Sequence, residues 1–191
     1  EMPDGLINSD QTPQLTTAAG AIADTQANTT AYMGYETSLD RAPAVLSEIV
    51  TVDSDALGDP GFGFIEMLIV TFNESVSYDA FLDPDKFALD MGTGVAVLDY
   101  GGSTDTQIAI TFNEGELATD QTPELTLAAD GIRDLADNYN ITQPPLTALD
   151  RAAPVLDHIH TADTDNNGNV DRLILTYNEN VDAGTIQDLG F

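Results

Sequence analysis

The residues best suited to chemistry lie in one acidic loop that spans residues 163–171. Oxygen-bearing side chains stand at every second position of this loop, with glycine at the sixth position: Asp163, Asp165, Asn167, Asn169 and Asp171. This is the spacing of an EF-hand-type calcium loop, in which alternate oxygens converge on one hard cation and glycine permits a sharp turn. The spacing therefore predicts a Ca²⁺ site in the loop.

The match to a calcium loop is partial. Ile174 stands at the twelfth position, where an EF-hand carries a bidentate glutamate, and the loop leads into a predicted strand rather than a helix. We therefore expect weak binding, with a dissociation constant of roughly 0.1 to 1 mM, as in extracellular modules. The alternative is a solvated turn, because Asp, Asn and Gly favour turns for conformational reasons alone.

A related acidic loop begins at residue 53, and it is longer than the loop at 163–171. Its oxygen-bearing side chains no longer alternate strictly, and its last candidate aligns with Asp171: Asp53, Asp55, Asp59 and Glu66. We predict a second calcium site of the same kind here. An ordinary acidic surface loop is the alternative.

A third candidate site involves strand ends and linkers. Thr-Phe-Asn-Glu or Thr-Tyr-Asn-Glu ends three predicted strands, at 71–74, 111–114 and 176–179, while Asp40 and Asp150 stand in linkers. A carboxylate at a strand end lies near the pole of a domain, where it can meet a linker. We therefore predict a junctional calcium site that is formed by three residues: Asp134, Asn138 and Asp150. Alternatively, Asn-Glu simply begins a turn and Asp-Arg is a surface pair.

Catalytic chemistry finds little support in the sequence. His158 and His160 stand two residues apart on a predicted strand, so they could chelate a transition metal, but two surface imidazoles are the simpler interpretation. The sequence contains no phosphate-binding glycine loop, nucleophile elbow or zinc-protease helix motif. We therefore expect that the protein is not an enzyme.

The elements that position these residues repeat along the chain at an offset of 110 residues. The segment that begins at Asp10 returns at Asp120, and the segment that begins at Asp40 returns at Asp150. A period of domain size predicts a tandem array of modules. Residues 1–39 then form the C-terminal half of one module, residues 40–149 a complete module, and residues 150–191 the N-terminal half of the next. We expect a fragment of a longer polypeptide, with complementation between half modules as the alternative.

The complete module is predicted to consist of short strands. Apolar runs of strand length are bounded by Gly, Pro and Asp clusters, and no segment shows a sustained helical period. The predicted strands lie at 45–52, 64–72, around 87–89, and at 95–100, 106–112, 124–128 and 139–142. This pattern predicts an all-β fold of tandem immunoglobulin-like antiparallel β-sandwich modules.

Two stretches of the repeat resemble a known class of module. The order Asp-Arg-Ala-Ala-Pro-Val-Leu at 150–156, an Asp-rich loop, and Leu-Ile-Leu-Thr-Tyr-Asn-Glu-Asn-Val at 173–181 resembles the opening of immunoglobulin-like repeats in bacterial surface-layer proteins and large adhesins. Residues 125–138 resemble the closing turn of those repeats, with Asp137 in place of the usual glycine. The resemblance implies an immunoglobulin-like fold and a location at the cell surface.

The composition of the chain limits the kinds of molecule that it can bind. The chain has 33 acidic and 5 basic residues, a formal net charge of -28, and no cysteine. Binding to nucleic acid is excluded, because phosphate contacts need clustered Lys and Arg, and an anionic membrane would repel the chain. The absence of cysteine removes disulfides and thiolate metal sites. Charge of this size opposes a compact state unless cations neutralise it, which favours divalent metal ions.

Together these observations predict an extracellular or cell-surface structural module, in a stalk, surface layer or adhesin shaft, that is stabilised by calcium. The expected partners are neighbouring modules of the same array, and other surface proteins or glycans are further candidates. We expect neither binding to nucleic acid nor direct insertion into a membrane. The alternatives are a carbohydrate- or ligand-binding β-sandwich that uses exposed tyrosines, or an accessory region of a larger secreted enzyme.

Overall fold

The computed structural model describes residues 7–53, 63–77, 84–93, 96–100, 106–113, 115–182 and 184. Within these residues the protein is all-β, with antiparallel sheets, one 3-10 turn at Pro84–Lys86 and no α-helix. In the same part of the chain, no helix has the length and apolar character needed to cross a membrane.

The strands of the described residues form four sheets. The larger ones are a four-stranded sheet in the order β3-β4-β7-β6 and a three-stranded sheet in the order β5-β8-β9, and β1-β2 and β10-β11 are two-stranded. The bounds are β1 Gln14–Thr17, β2 Met33–Thr37, β3 Leu46–Val52, β4 Met67–Phe72, β5 Phe87–Leu89, β6 Ala96–Asp99, β7 Gln107–Thr111, β8 Glu124–Leu127, β9 Leu146–Thr147, β10 Leu156–Ala162 and β11 Arg172–Tyr177.

The hydrophobic core draws on both larger sheets. Leu68, Val70 and Phe72 of β4 are at most 2% exposed, and Leu125 and Leu127 of β8 are fully buried. In both strands the buried residues alternate with half-buried ones, because successive side chains of a strand point to opposite faces. Two antiparallel sheets that share one apolar core are consistent with the predicted β-sandwich.

Most of the predicted strands of the central segment are present. Strands β3 to β8 fall within or at the predicted apolar runs, and β6 pairs with β7 as the predicted hairpin. The connecting residues 101–105 lie outside the described part of the chain.

The predicted strand over 139–142 is not formed. Tyr139 makes one isolated bridge to Arg133, and the chain pairs with β8 only later, at β9. The side chain of Asn140, which is 2% exposed, explains the difference, because its Oδ1 accepts two backbone N–H groups of the preceding turn and its Nδ2 donates to two carbonyls. The side chain of Asn140 thus makes the hydrogen bonds to the backbone that a neighbouring strand would make in a regular β-ladder.

The outer hairpins expose residues whose counterparts in the central segment are buried. Leu15 of β1 is 68% exposed, whereas Leu125 in the corresponding position of β8 is fully buried. Ile159 of β10 is 53% exposed, whereas Ile49 of β3 is 1% exposed. Within the described residues, β1 pairs only with β2 and β10 only with β11, and neither hairpin contributes a residue to the hydrophobic core.

Candidate metal centres

The loop at 163–171 brings three of its predicted ligands together. One carboxylate oxygen from each of Asp163, Asp165 and Asp171 lies within 4.8 Å of the other two. The Asp163 carboxylate accepts hydrogen bonds from the backbone N–H of Gly168 at 2.6 Å and of Asn167 at 3.2 Å. These bonds, chiefly the one from Gly168, hold the pKa of Asp163 below its usual value.

The two asparagines that were predicted as ligands, Asn167 and Asn169, serve the internal hydrogen bonding of the loop. Asn167 Nδ2 donates to Asp165 Oδ2 at 2.8 Å, and Asn169 Nδ2 donates to Asn167 Oδ1 at 2.8 Å. Asn166 and Gly168 have φ of 57° and 85°, a left-handed conformation that Asn and Gly tolerate best. The loop is thus a tight turn with three clustered and largely exposed carboxylates, and calcium binding there stays a prediction.

The loop that begins at residue 53 is described only at its edges. Asp55 and Asp59 lie outside the described residues. Asp53 Oδ2 accepts a hydrogen bond from Gly63 N at 3.1 Å, and the backbone N–H of Glu66 donates to Val52 at 2.9 Å. Among the described residues, Asp53 and Glu66 belong to no group of three carboxylates. The second calcium loop also stays a prediction.

Asp134 is the buried first residue of a turn that follows β8. It is 1% exposed, and its Oδ1 accepts hydrogen bonds from the backbone N–H groups of Ala136 at 2.8 Å and Asn138 at 2.9 Å. Asn138 Nδ2 donates to Asp134 Oδ2 at 2.8 Å. Asp137 has φ of 65°, a left-handed conformation that glycine adopts without steric cost. Asn138 therefore orients the Asp134 carboxylate.

The carboxylates that meet Asp134 are those of Asp40 and Glu74. One oxygen from each of the three lies within 4.8 Å of the others. Glu74 is 5% exposed, and Asp40 is half-buried. The cluster opens into a cleft of about 370 Å³ that Asp10 also lines. The sequence signals for this cluster are the Asn-Glu ending of the β4 strand and the linker aspartate, although only Asp134 was assigned to a site from sequence.

The structure places Asp150 at a different junction from Asp134. The charge of Asp150 acts on Glu179, which stands two residues after β11 as Glu74 stands two residues after β4. Asp40, one repeat before Asp150, is the linker residue that lies beside Asp134. The predicted trio is therefore divided, because Asp134 lies beside Asp40 whereas Asp150 acts on Glu179. The neighbouring Arg151 reaches Glu48 at 3.4 Å.

The environment of Glu74 disfavours its charge. Burial raises its pKa first, and the negative charges of Asp134, Asp40 and Asp10 raise it further, whereas a hydrogen bond with Ser9 opposes the increase. Four carboxylates around one cleft repel one another in the absence of a counter-ion. The cluster has the charge and oxygen chemistry of a site for a hard cation.

Asn73 connects this cluster to the residues that precede it. Its Oδ1 accepts a hydrogen bond from Val45 N at 2.7 Å, and its Nδ2 donates to Ser9 Oγ at 2.6 Å. Ser9 belongs to the segment before the linker, whereas Asn73 and Val45 follow the linker. One side chain thus joins the two segments across the linker.

Asn178 makes the same contacts at the next junction. Its Oδ1 accepts from Val155 N at 2.8 Å, and its Nδ2 donates to Thr119 Oγ1 at 2.9 Å and to the Gly63 carbonyl at 3.0 Å. Thr119 and Val155 stand 110 residues after the two partners of Asn73. The two junctions therefore use corresponding residues in corresponding contacts.

The two histidines lie next to each other on the exposed strand β10. The rings of His158 and His160 pack edge to face with centroids 4.6 Å apart, and His158 Nδ1 lies 2.8 Å from Asp157 Oδ2. No described carboxylate or imidazole completes a group of three with them. The interpretation of two surface imidazoles accounts for this geometry.

The sequence matches no protein-family model, and comparisons with curated proteins and with solved structures give no significant match.

Proposed function

We propose that the chain is part of an extracellular, non-enzymatic structural array, a stalk, surface-layer segment or adhesin shaft, whose immunoglobulin-like modules follow one another every 110 residues and are stabilised by calcium. The observation that supports this function best is the repetition of one junction. Asn73 and Asn178 each join a linker-adjacent strand to a hydroxyl of the preceding segment. A repeated and specific junction sets the angle between successive units, which is what a spacer requires.

The acidic clusters of the chain support a role for calcium. The loop at 163–171 gathers three carboxylates, and the chain carries a net charge of -28. A loop with affinity in the millimolar range would be filled outside cells, where calcium is abundant, and this supports an extracellular location. Bound ions would neutralise the acidic loops and couple the stability of each module to external calcium. Neighbouring modules of the array are the proposed partners.

Small-angle X-ray scattering of the 191-residue chain with calcium and with excess chelator tests this function. We expect an extended particle of narrow shape distribution in calcium, and a broader distribution in chelator, because the segments on either side of each linker then move independently. Asn178→Ala should broaden the distribution in calcium, since it removes the side-chain bonds to Gly63 and Thr119.

Asn113→Ala is the matched control for this variant. Asn113 occurs in Thr-Phe-Asn-Glu, which matches the Thr-Tyr-Asn-Glu around Asn178, but its described contacts are with Glu116, three residues along, and not with another segment. We expect it to leave the scattering curve unchanged. Identical curves for the unmodified chain with and without calcium would contradict the proposed stiffening.

A further inference from the structure

Three carboxylates from three separate segments converge at the first junction. Asp40 stands in the linker before β3, Glu74 follows the end of β4, and Asp134 lies in the turn after β8. Their oxygens lie within 4.8 Å of one another. Ca²⁺ binds oxygens at 2.3 to 2.6 Å, so ligands on opposite sides of one ion stand about 4.6 to 5.2 Å apart. The cluster therefore has dimensions that suit a single calcium ion.

An independent observation indicates that this cluster lacks a ligand. Glu74 is 95% buried, since 5% of its surface is exposed, and its Oε1 has no hydrogen-bond partner. A buried carboxylate oxygen without a partner is costly, and buried charges in native proteins are paired or coordinate a metal. The charged groups that act on Glu74 are Asp134, Asp40 and Asp10, all of them negative. A cation would satisfy the oxygen and remove the repulsion.

The same unsatisfied atom occurs at the second junction. Glu179 Oε1 is buried and has no hydrogen-bond partner, and Asp150 and Asp120 act on Glu179 as Asp40 and Asp10 act on Glu74. Both aspartates stand 110 residues after their counterparts. The chain thus builds twice a glutamate that has one buried, unsatisfied carboxylate oxygen and negatively charged neighbours.

We propose that Asp40, Glu74 and Asp134 bind one divalent cation, calcium in preference to magnesium, and that this ion clamps the linker to the two sheets of the segment that follows it. All donors are oxygens, which select hard cations. Calcium is favoured because it accepts irregular sets of carboxylates, whereas magnesium requires a near-ideal octahedron at 2.0 to 2.1 Å. The site deepens the proposed array function by assigning an ion to the junction, and it is distinct from the loop at 163–171.

Glu74→Gln tests the site directly, because glutamine keeps the shape of glutamate and removes its charge. The measurement is calcium titration by calorimetry, together with thermal unfolding, in a chain that also carries Asp163→Ala and Asp165→Ala, which eliminates the loop cluster. We expect this background chain to bind calcium at the junction, and Glu74→Gln to weaken that binding about tenfold or more.

Calcium should reverse the order of the melting temperatures of Glu74→Gln and the background chain. In excess chelator, Glu74→Gln should unfold at a higher temperature than the background, because the buried charge and its repulsion are gone. In calcium it should unfold at a lower temperature than the background, because the clamp is lost. A residue with a purely structural role would shift both curves in one direction.

Two further variants provide the controls. Asp40→Asn, at a half-buried linker position, should also weaken calcium binding. Glu179→Gln should leave calcium binding unchanged, since Glu179 belongs to no group of three clustered carboxylates among the described residues. Magnesium should compete weakly, and sodium chloride at matched ionic strength should not reproduce the stabilisation by calcium.

The proposal is overturned if the background chain binds no calcium, if Glu74→Gln binds it with unchanged affinity, or if sodium chloride stabilises as well as calcium. If calcium binds at Glu74 but leaves the scattering curve unchanged, the site stands and the stiffening function fails.

Discussion

At the scale of single residues, the chain forms one aspartate turn twice. Asp24 Oδ1 accepts backbone N–H groups of Gln26 at 2.9 Å and Asn28 at 2.8 Å, as Asp134 does from Ala136 and Asn138. The turn forms whether its aspartate is buried, as at Asp134, or exposed, as at Asp24, because its bonds are all local. At Asp24, where the turn is exposed, the bonds from Asn28 lower the pKa of the carboxyl group.

The raised pKa of Glu74 and Glu179 makes a prediction about pH. A carboxyl group with a higher pKa in the folded state binds protons more tightly there, so its stabilising contribution is present at low pH and is lost as the pH rises through the folded pKa. In chelator, we expect the melting temperature to increase as the pH falls from about 7 to about 5. Further acidification should reverse the trend, because Asp24 and Asp163 have lowered pKa values.

Comparison with Glu74→Gln isolates the contribution of that residue. The difference in melting temperature between this variant and the unmodified chain in chelator should become smaller as the pH falls, because protonation also removes the charge of Glu74. A difference that stays constant over this range of pH would show that the charge of Glu74 is unimportant for stability.

A second residue-level prediction concerns the acidic loop. Asp163→Ala combined with Asp165→Ala removes two of the three clustered carboxylates. We expect the double variant to lose the part of the calcium-dependent rise in melting temperature that arises from this loop, measured in a chain that contains a complete copy of the module. Asp157→Ala, an exposed carboxylate outside the loop, is the control. An unchanged rise in the double variant would leave the loop as an ordinary turn.

At the scale of strands, corresponding residues of the repeat differ in burial according to their distance from the core. β1 and β8 share a Leu at the same place in the repeat, yet Leu15 is 68% exposed and Leu125 is fully buried. β8 lies between β5 and β9 and packs into the core shared with the larger sheet, whereas β1 has only β2 as a neighbour. Burial of the same residue type thus depends on which strands surround it.

Leu125→Ala should lower the free energy of unfolding of the core by about 3 to 4 kcal/mol, because it removes buried methyl groups and leaves a cavity. Leu15→Ala, the same substitution one repeat earlier, should change that free energy by less than about 0.5 kcal/mol. Chemical denaturation measures both free energies, and hydrogen exchange identifies the unfolding of the central segment. Equal losses in the two variants would contradict the assignment of the core to the central segment.

At the scale of the whole molecule, charge decides how the chain responds to ions. A net charge of -28 opposes compaction, and simple screening by salt reduces that repulsion over the entire surface. Site-bound calcium acts at particular clusters instead. In the scattering experiment, sodium chloride at matched ionic strength should therefore fail to restore the narrow distribution that calcium produces. If sodium chloride restores it fully, general screening explains the effect.

The sequence by itself determined the features that depend on local order along the chain. Alternating apolar residues were sufficient to place most central strands, the 110-residue offset identified the corresponding residues, and the acidic spacing located the cluster at Asp163, Asp165 and Asp171. These features survive without tertiary information because they follow from backbone period and turn chemistry. The strand that was predicted at 139–142 shows the limit of such prediction. There the buried side chain of Asn140, rather than a neighbouring strand, makes the hydrogen bonds to the backbone.

Only the tertiary structure decided which carboxylates meet. Asp134 was recognised from sequence, but its neighbours Asp40 and Glu74 lie 94 and 60 residues earlier, and linear spacing does not show which linker folds back on which strand end. Burial of Glu74 and the unsatisfied state of its Oε1 depend on the same packing. The strength of an acidic cluster as a cation site is a property of desolvation and geometry, and both arise only when distant segments come together.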